Sequence, residues 1–333
     1  MPADLTSSGP AVGSDRWRRV PASRARSDDL LELTHALRAE LLARGEFLPP
    51  RWVEESANDL KLGTLRGWVL LDGNSPVGFA FFSPRAARAY GHVHVLPGPG
   101  GLDRAEALLE GLRLEQSPPS ARLDVGVTGL TPEEEEGLRG RRVPPRAETI
   151  VTRYALDAAL PFLTAANRPE GWAQAPIREL PLAALAELDW AAYQGTPDQS
   201  LAADTPEADA RVLDEILRGL LGRFVDEAST ALTDPSGAPV GILLTAEQTP
   251  RRAIFLDLAV RPDLRGRGLG GFLLRWGMRA LTALGYESVR LWVTESNAPA
   301  RRLYDRLGFV LAGRAVIVRY PGPPGTPQPQ RSR

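Results

Sequence analysis

Apolar positions along the chain recur at two periods, and the two alternate. In WVLLDGNSPVGFAFF (68–82), two apolar runs flank Asp72-Gly73-Asn74, a hairpin signal. GHVHVLP (91–97) and ARLDVGVT (121–128) read as strands, and LDRAEALLEGLRL (102–114) between them spaces its leucines as one face of a helix. The same order returns later as the hairpin ALTDPSGAPVGILL (231–244), the strand AIFLDLAVRP (253–262), a helix over 268–284 and the strand SVRLWVT (288–294). Val77-Gly78 matches Val240-Gly241, Pro97 matches Pro262, and Tyr154 of IVTRY matches Tyr320 of VIVRY, at offsets of 163 to 166 residues. Each copy opens on helical patterns, SDDLLELTHALRAELLA in the first, and LPLAALAELDWAAYQ with EADARVLDEILRGLLGRF in the second. A repeat this regular predicts two copies of one α/β (α+β) unit, over 16–156 and 174–320, each a mixed sheet flanked by helices. DAALPFLTAANRPEGWAQ (157–174) reads as the linker, and residues 1–15 and the chain from 321 as Pro/Gly-rich tails.

Composition narrows the function. The 333 residues are 43% hydrophobic, enough for two cores, and 40 basic against 41 acidic side chains leave a net charge of -1. No basic footprint for nucleic acid stands out, no apolar run is long enough to span a bilayer, and the N-terminus lacks an export pattern, so a cytoplasmic protein is expected. Cysteine is absent, and His35, His92 and His94 all fall in the first hundred residues. The second half must therefore work without thiolate or imidazole. His92 and His94 share a strand face, but no third ligand is evident, and no metal is expected.

RGRGLGG (265–271) opens the helix of the second copy. Glycine lets backbone approach a ligand, and a helix N-terminus offers unpaired N–H groups, so a phosphate is the natural guest, as in nucleotides, sugar phosphates or coenzyme A. Gly266, Gly268 and Gly271 satisfy G-x-G-x-x-G, but RPDLR separates Val260 from Gly266 and successive βαβ units are missing, which argues against a dinucleotide fold. A Walker loop fails because no GK[ST] follows, and Lys61 is the sole lysine. Further on, NAPARRLYDRLGF (297–309) carries an Asn297 N-cap, Pro299 in the first turn and Gly308 at the end, a helix of about three turns. Asn297 and Tyr304, two turns apart, share one face about 10 Å from each other.

VRPDLRGRGLG (260–270) followed by NAPARRLYDRLGF resembles the GNAT superfamily of acyl-CoA-dependent N-acyltransferases. Its Q/R-x-x-G-x-G/A signature is met by Arg265, Gly268 and Gly270, and N-x-x-A-x-x-L-Y-x-x-x-G-F is met from Asn297 to Phe309. The resemblance implies two tandem GNAT-like domains with mostly antiparallel sheets, and acetyl-CoA as co-substrate. It implies that Arg265, Gly266, Arg267, Gly268, Leu269, Gly270 and Gly271 cradle the pyrophosphate, and that Leu258, Val260 and Asn297 meet the pantetheine arm. Tyr304 would then be the general acid that protonates the leaving thiolate.

For the base, strand alternation puts Ile254, Leu256, Leu258 and Val260 on one, core-facing side and Phe255, Asp257 and Ala259 on the other, toward the cleft. Asp257 is the first candidate for the base, with Glu295 and Glu247 behind it, and Tyr193 and Asp198 are placed to touch an amine. The acceptor expected is a primary amine on a small molecule or peptide. The alternative is a non-catalytic acyl-CoA sensor or scaffold. The first half has LPGPGGLDRAEA at the loop position and Gly137, in TPEEEEGLRGRRV, opposite Tyr304, which marks it as a degenerate copy.

Overall fold

The computed structural model describes residues 17–22, 66–83, 88–96, 98–115, 122–140, 149–160 and 170–320, with isolated helical positions between 31 and 43. Most of the expected first helix, Pro97, Lys61 and both tails lie outside the described residues. The first half runs β1 (Trp17–Pro21), β2 (Arg66–Asp72), β3 (Ser75–Ser83), β4 (Arg88–Val95), α1 (Gly101–Glu115), β5 (Arg122–Thr128), α2 (Pro132–Gly140) and β6 (Thr149–Ala159). The second runs β7 (Ala173–Ala175), α3 (Leu182–Tyr193), α4 (Pro206–Leu217), β8 (Arg223–Phe224), β9 (Thr230–Thr233), β10 (Pro239–Thr249) and β11 (Arg252–Val260). It ends with α5 (Leu269–Ala283), β12 (Ser288–Thr294), α6 (Ala298–Arg306) and β13 (Val310–Tyr320).

The chain forms two compact units, and their borders do not follow the order of the sequence. Among the described residues, one unit takes the chain up to Ile150 together with 316–320, and the other takes 151–315. Within the first unit the strand order is β1-β2-β3-β4-β5-β13 and within the second β7-β9-β10-β11-β12-β6, with β8 beside β10. Within each unit, among the described residues, one neighbouring pair runs parallel, β4 with β5 and β11 with β12, each pair joined by one crossover helix, α1 or α5. The two topologies are the same, and each ends on a strand from the other half of the sequence. The expected linker 157–174 therefore contains the end of β6, and a cut at 156 would divide that strand.

Side-chain burial explains why each unit holds together. Leu108, Leu109 and Leu112 of α1 are fully buried against Val93, Val125 and Val127, and Val316 and Val318 of β13 complete that core. At about 1.5–3 kcal/mol per buried large aliphatic side chain, the guest strand is a structural necessity for its host. In the second unit, Phe272, Leu273 and Met278 of α5 cover one sheet face with Leu156 and Ala158 of β6, while α3 and α4 cover the other.

An ion pair fixes each guest strand, buried in the first unit and part-buried in the second, and the two pairs have opposite polarity. Arg319 of β13 reaches Asp124 of β5 through Nε at 2.8 Å and Nη2 at 3.3 Å. Arg290 of β12 reaches Asp157 of β6 through Nε at 2.6 Å and Nη2 at 2.9 Å. Asp124 and Arg290 are each the third residue of their strands, and Arg319 and Asp157 are their register partners. If each half kept its own last strand in this register, Asp157 would face Asp124 and Arg319 would face Arg290. Like charges would then meet in a low-dielectric core, which strongly disfavours that pairing.

Two variants test this. Arg290→Asp should destabilise the chain by about 3–5 kcal/mol or more, the usual cost of breaking a buried pair, and adding Asp157→Arg should recover most of it. Reversing only the guests, Asp157→Arg with Arg319→Asp, should turn the preference toward each half keeping its own strand. The native chain has no cysteine, so Ala159→Cys with Ser288→Cys reports the arrangement without interference. These residues are register partners, and the bond from Leu160 N–H to Glu287 C=O makes them a non-hydrogen-bonded pair, close enough to link. The disulfide should form in the parent and fail in the guest-reversed chain; equal yields would sink the charge argument.

Candidate active site

The second unit is opened by the way β11 and β12 part. Their parallel pairing covers only Arg252 to Phe255 against Ser288 to Leu291. In the first unit, β4 and β5 stay paired from Arg88–Arg122 to His94–Thr128, and His94 Nδ1 and Thr128 Oγ1 are hydrogen-bonded at 2.5 Å at that end. Beyond Phe255, one edge of β11 is therefore released. Arg261 N–H bonds Val240 C=O, which makes Ala259 and Arg261 the residues turned to β10. By alternation the backbone N–H and C=O of Leu258 and Val260 face the released edge.

The side chains of β11 do not alternate as expected. Asp257 is the partner of Leu244 and Phe255 of Thr245, so Leu256 is an extra residue, a β-bulge. Ala253 and Phe255 pack toward α5, as do Leu258 and Val260 after the bulge, whereas Leu256 and Ala259 pack toward α3 and α4. The face expected to be cleft is thus also core, and the expected pairing of Ile254 and Leu256 with Leu258 and Val260 fails at the bulge. Asp257 comes to lie under α3, where Tyr193 Oη donates to its Oδ1 at 2.9 Å.

The glycine loop leads from a short turn at Pro262–Leu264 into α5. Gly266 and Gly268 have φ of 78° and 81°, which side-chain-bearing residues rarely adopt, and a Cβ at either would meet no neighbour. Backbone conformation, rather than space, demands glycine here. The first turn of α5 closes with Phe272 N–H on Gly268 C=O at 2.9 Å, and no side chain caps it. The N–H groups of Leu269, Gly270 and Gly271 lie ahead of that bond, at the positive end of the helix dipole. Gly270 and Gly271 also pack on Leu303 of α6. Arg267 is exposed, while the Arg265 guanidinium is turned away from the loop and donates to Ala192 C=O at the end of α3.

Tyr304 is 8% exposed and its ring packs at 5.8 Å from that of Phe309. Burial, reinforced by nearby Asp198 and opposed by Arg153, pushes its hydroxyl above the ordinary tyrosine range, so it keeps its proton. Asp257 also lies close enough for its charge to be felt there. Burial raises the Asp257 carboxyl, against the opposing pull of Tyr193, Asp189, the Leu258 N–H and the Arg153 guanidinium. Arg153 arrives on the guest strand β6 and donates to Trp292 C=O at 2.9 Å, on the part of β12 that has left β11. Sequence order placed Arg153 in the other copy, and no local signal pointed here.

Other candidates are placed elsewhere or already engaged. Asp198 is buried and accepts from Thr294 Oγ1, from Thr294 N–H at 3.3 Å and from Asn297 Nδ2 at 2.6 Å, a latch rather than an amine contact. Asn297 caps α6 by accepting from Ala300 N–H at 3.2 Å, so both ends of its amide have protein partners. Glu295 accepts from Tyr154 Oη, whose ring lies between Arg301 and Arg314 at 4.9 and 5.4 Å. Glu247 accepts from Tyr286 and Arg223 at the end of β11 farthest from Val260. Asp189 was missed, although an aspartate one turn before Tyr193 on an otherwise apolar helix face was a visible signal.

The first unit presents the opposite picture at each point. Thr131 and Glu134 form a capping box on α2, and the Glu134 carboxylate presses on Gly101 so that a Cβ there would lie 2.5 Å from it. A protein carboxylate thus crowds the N-terminus of α1. His92 and His94 stack at 6.0 Å beside Phe79 and Phe81, and burial pushes His92 down to about 4, the behaviour of packed, neutral rings.

Comparison with known proteins agrees with this geometry. Residues 182–309 match the acetyltransferase (GNAT) family. A mycothiol acetyltransferase of Thermomonospora curvata is 29% identical over 86% of this chain and 92% of its own length. A GCN5-related N-acetyltransferase from Sphaerobacter thermophilus shares the fold with a TM-score of 0.65 at 20% identity, covering 94% of this chain and 98% of its own. A tandem GNAT protein from the clavulanic acid biosynthesis pathway does so with a TM-score of 0.54 at 17% identity, covering 93% and 100%. The parted strands, the open glycine loop and the repeated topology are accounted for together: residues 182–309 match the acetyltransferase (GNAT) family, and the chain shares its fold with a tandem GNAT protein.

Proposed function

We propose that the second unit transfers an acetyl group from acetyl-CoA to the primary amine of a small-molecule acceptor, with Asp257 as proton acceptor and Tyr304 as proton donor. The observation that carries this reading is the release of β11 from β12 beside these two side chains. The name of the mycothiol acetyltransferase relatives supports a small acceptor over a peptide. The site is expected to work in the cytoplasm.

The loop fits a pyrophosphate: its backbone turns at two positive-φ glycines and leaves N–H groups at a helix N-terminus. Arg267 is the better placed arginine to add charge, since Arg265 serves Ala192. Bound acetyl-CoA supplies an activated thioester. Leu258 and Val260 offer backbone groups along the released edge, and Asn297 holds the corner in which that edge ends.

An alkylamine with a pKa of about 10.4 arrives protonated and must lose that proton to attack. Asp257 takes it, directly or through the Tyr193 hydroxyl that already touches it. The amine nitrogen then bonds to the thioester carbon, and the carbon–sulfur bond breaks as the tetrahedral intermediate collapses. Tyr304 gives its proton to the departing sulfur and is restored from solvent, which also takes the second proton that the nitrogen releases as the amide forms. A sensor would need neither group.

Three outcomes test this. Calorimetry should find one coenzyme A site per chain, and Gly268→Val, which imposes about 1–2 kcal/mol of left-handed strain on a φ of 81°, should weaken it by about tenfold or more; unchanged affinity would remove the loop from the site. Asp257 is active when ionised, and burial raises its proton affinity, so kcat/KM should fall with decreasing pH at a limb above the ordinary carboxylate range. Asp257→Asn should erase that limb and leave acetyl-CoA affinity intact. Tyr304→Phe should lower turnover by about 10² to 10⁴ with little change in substrate affinity, and an acyl donor with a better leaving thiol should partly rescue it. Wild-type turnover in that variant, with chemistry rate-limiting, would favour the non-catalytic acyl-CoA sensor.

A further inference from the structure

We propose that Asp189 is a positioning residue of the site, its carboxyl group donating a hydrogen bond to the Asp257 carboxylate and holding it in the proton-accepting form. The proposal rests on the reading of Asp257 as the proton acceptor. Asp189 and Tyr193 are one turn apart on α3, and the Tyr193 hydroxyl meets Asp257 at 2.9 Å with the buried Asp189 carboxyl close enough for the Asp257 charge to be felt there. Asp189 is 2% exposed, and its Oδ1 has no hydrogen-bond partner. Two carboxyl groups close together and away from water do not both ionise readily, so one proton is shared by the pair.

The surroundings decide which group carries it. Asp257 is faced by donors and positive charge: the Tyr193 hydroxyl from α3, the Leu258 N–H from its own strand and the Arg153 guanidinium from β6. Tyr304 of α6 keeps its proton and adds no charge. Asp189 is faced by Asp257 and by Asp209 of α4, and with burial these two push its carboxyl well above the usual range. The negative charge therefore rests on Asp257 and the proton on Asp189.

The bond has a consequence for pH. A hydrogen bond to the charged form of an acid favours that form, so Asp189 lowers the proton affinity that burial gives Asp257. Asp189→Ala removes the donor and should move the acidic limb of kcat/KM upward by about one pH unit or more. Asp189→Asn restores a neutral donor of the same shape and should rescue most of that shift. In the infrared, the wild type at neutral pH should show a protonated-carboxyl band that Asp189→Asn loses. Absence of that band, an Asn variant as impaired as Ala, or a limb unmoved in Asp189→Ala while Asp257→Asn abolishes it would each overturn the positioning role. If Asp257→Asn itself keeps the limb, the proton-acceptor reading fails instead, and the role of Asp189 with it.

Discussion

The fold depends on a strand that each half lends to the other. Without β13 the first sheet lacks Val316 and Val318 in its core, and without β6 the second lacks Leu156, Ala158 and the Asp157 that neutralises Arg290. The reversed polarity of the two ion pairs turns a general preference for pairing into a specific one. Everything at the site follows from it, because β6 also delivers Arg153 to the parted end of β12 and Tyr154 to Glu295.

The two units show how one topology supports different fates. In the second, pairing between the parallel strands stops after four register positions, and the loop before α5 turns at positive-φ glycines. In the first, the equivalent strands are paired to their ends, and Glu134 crowds the start of α1. A strand pair that remains closed has no backbone to offer a ligand, whatever its side chains. The first half of the sequence nevertheless remains indispensable as the source of β6.

The sequence made local features legible and left the long-range ones hidden. Hairpins, the helix after RGRGLGG and the Asn297 cap follow from turn residues and spacing, and they appear within a residue or two of where those signals put them. The repeat revealed two units but not the exchange, since IVTRY and VIVRY fit either sheet and only the partner's charge distinguishes them. Asp157 looked like a solvated linker charge because its partner, Arg290, lies 133 positions away. Alternation along β11 misplaced the faces because a bulge at Leu256 leaves no mark in an apolar run. Asp198 looked like a loop carboxylate open to substrate, yet three donors from Thr294 and Asn297 enclose it.

The exchange also constrains how the chain is made. On a ribosome adding about 5–20 residues per second, β6 emerges well before β12, its partner, and β5 waits still longer for β13. The first sheet stays one strand short until residue 320 has been translated, and Asp157 waits about 7 to 27 seconds for Arg290, 133 positions later. The second sheet has all its strands once β12 has emerged, whereas the first completes only in a later step, after β13. That timing leaves the first unit open to chaperones for most of synthesis, and a stop between β12 and β13 leaves the first sheet unfinished while the second already holds β6.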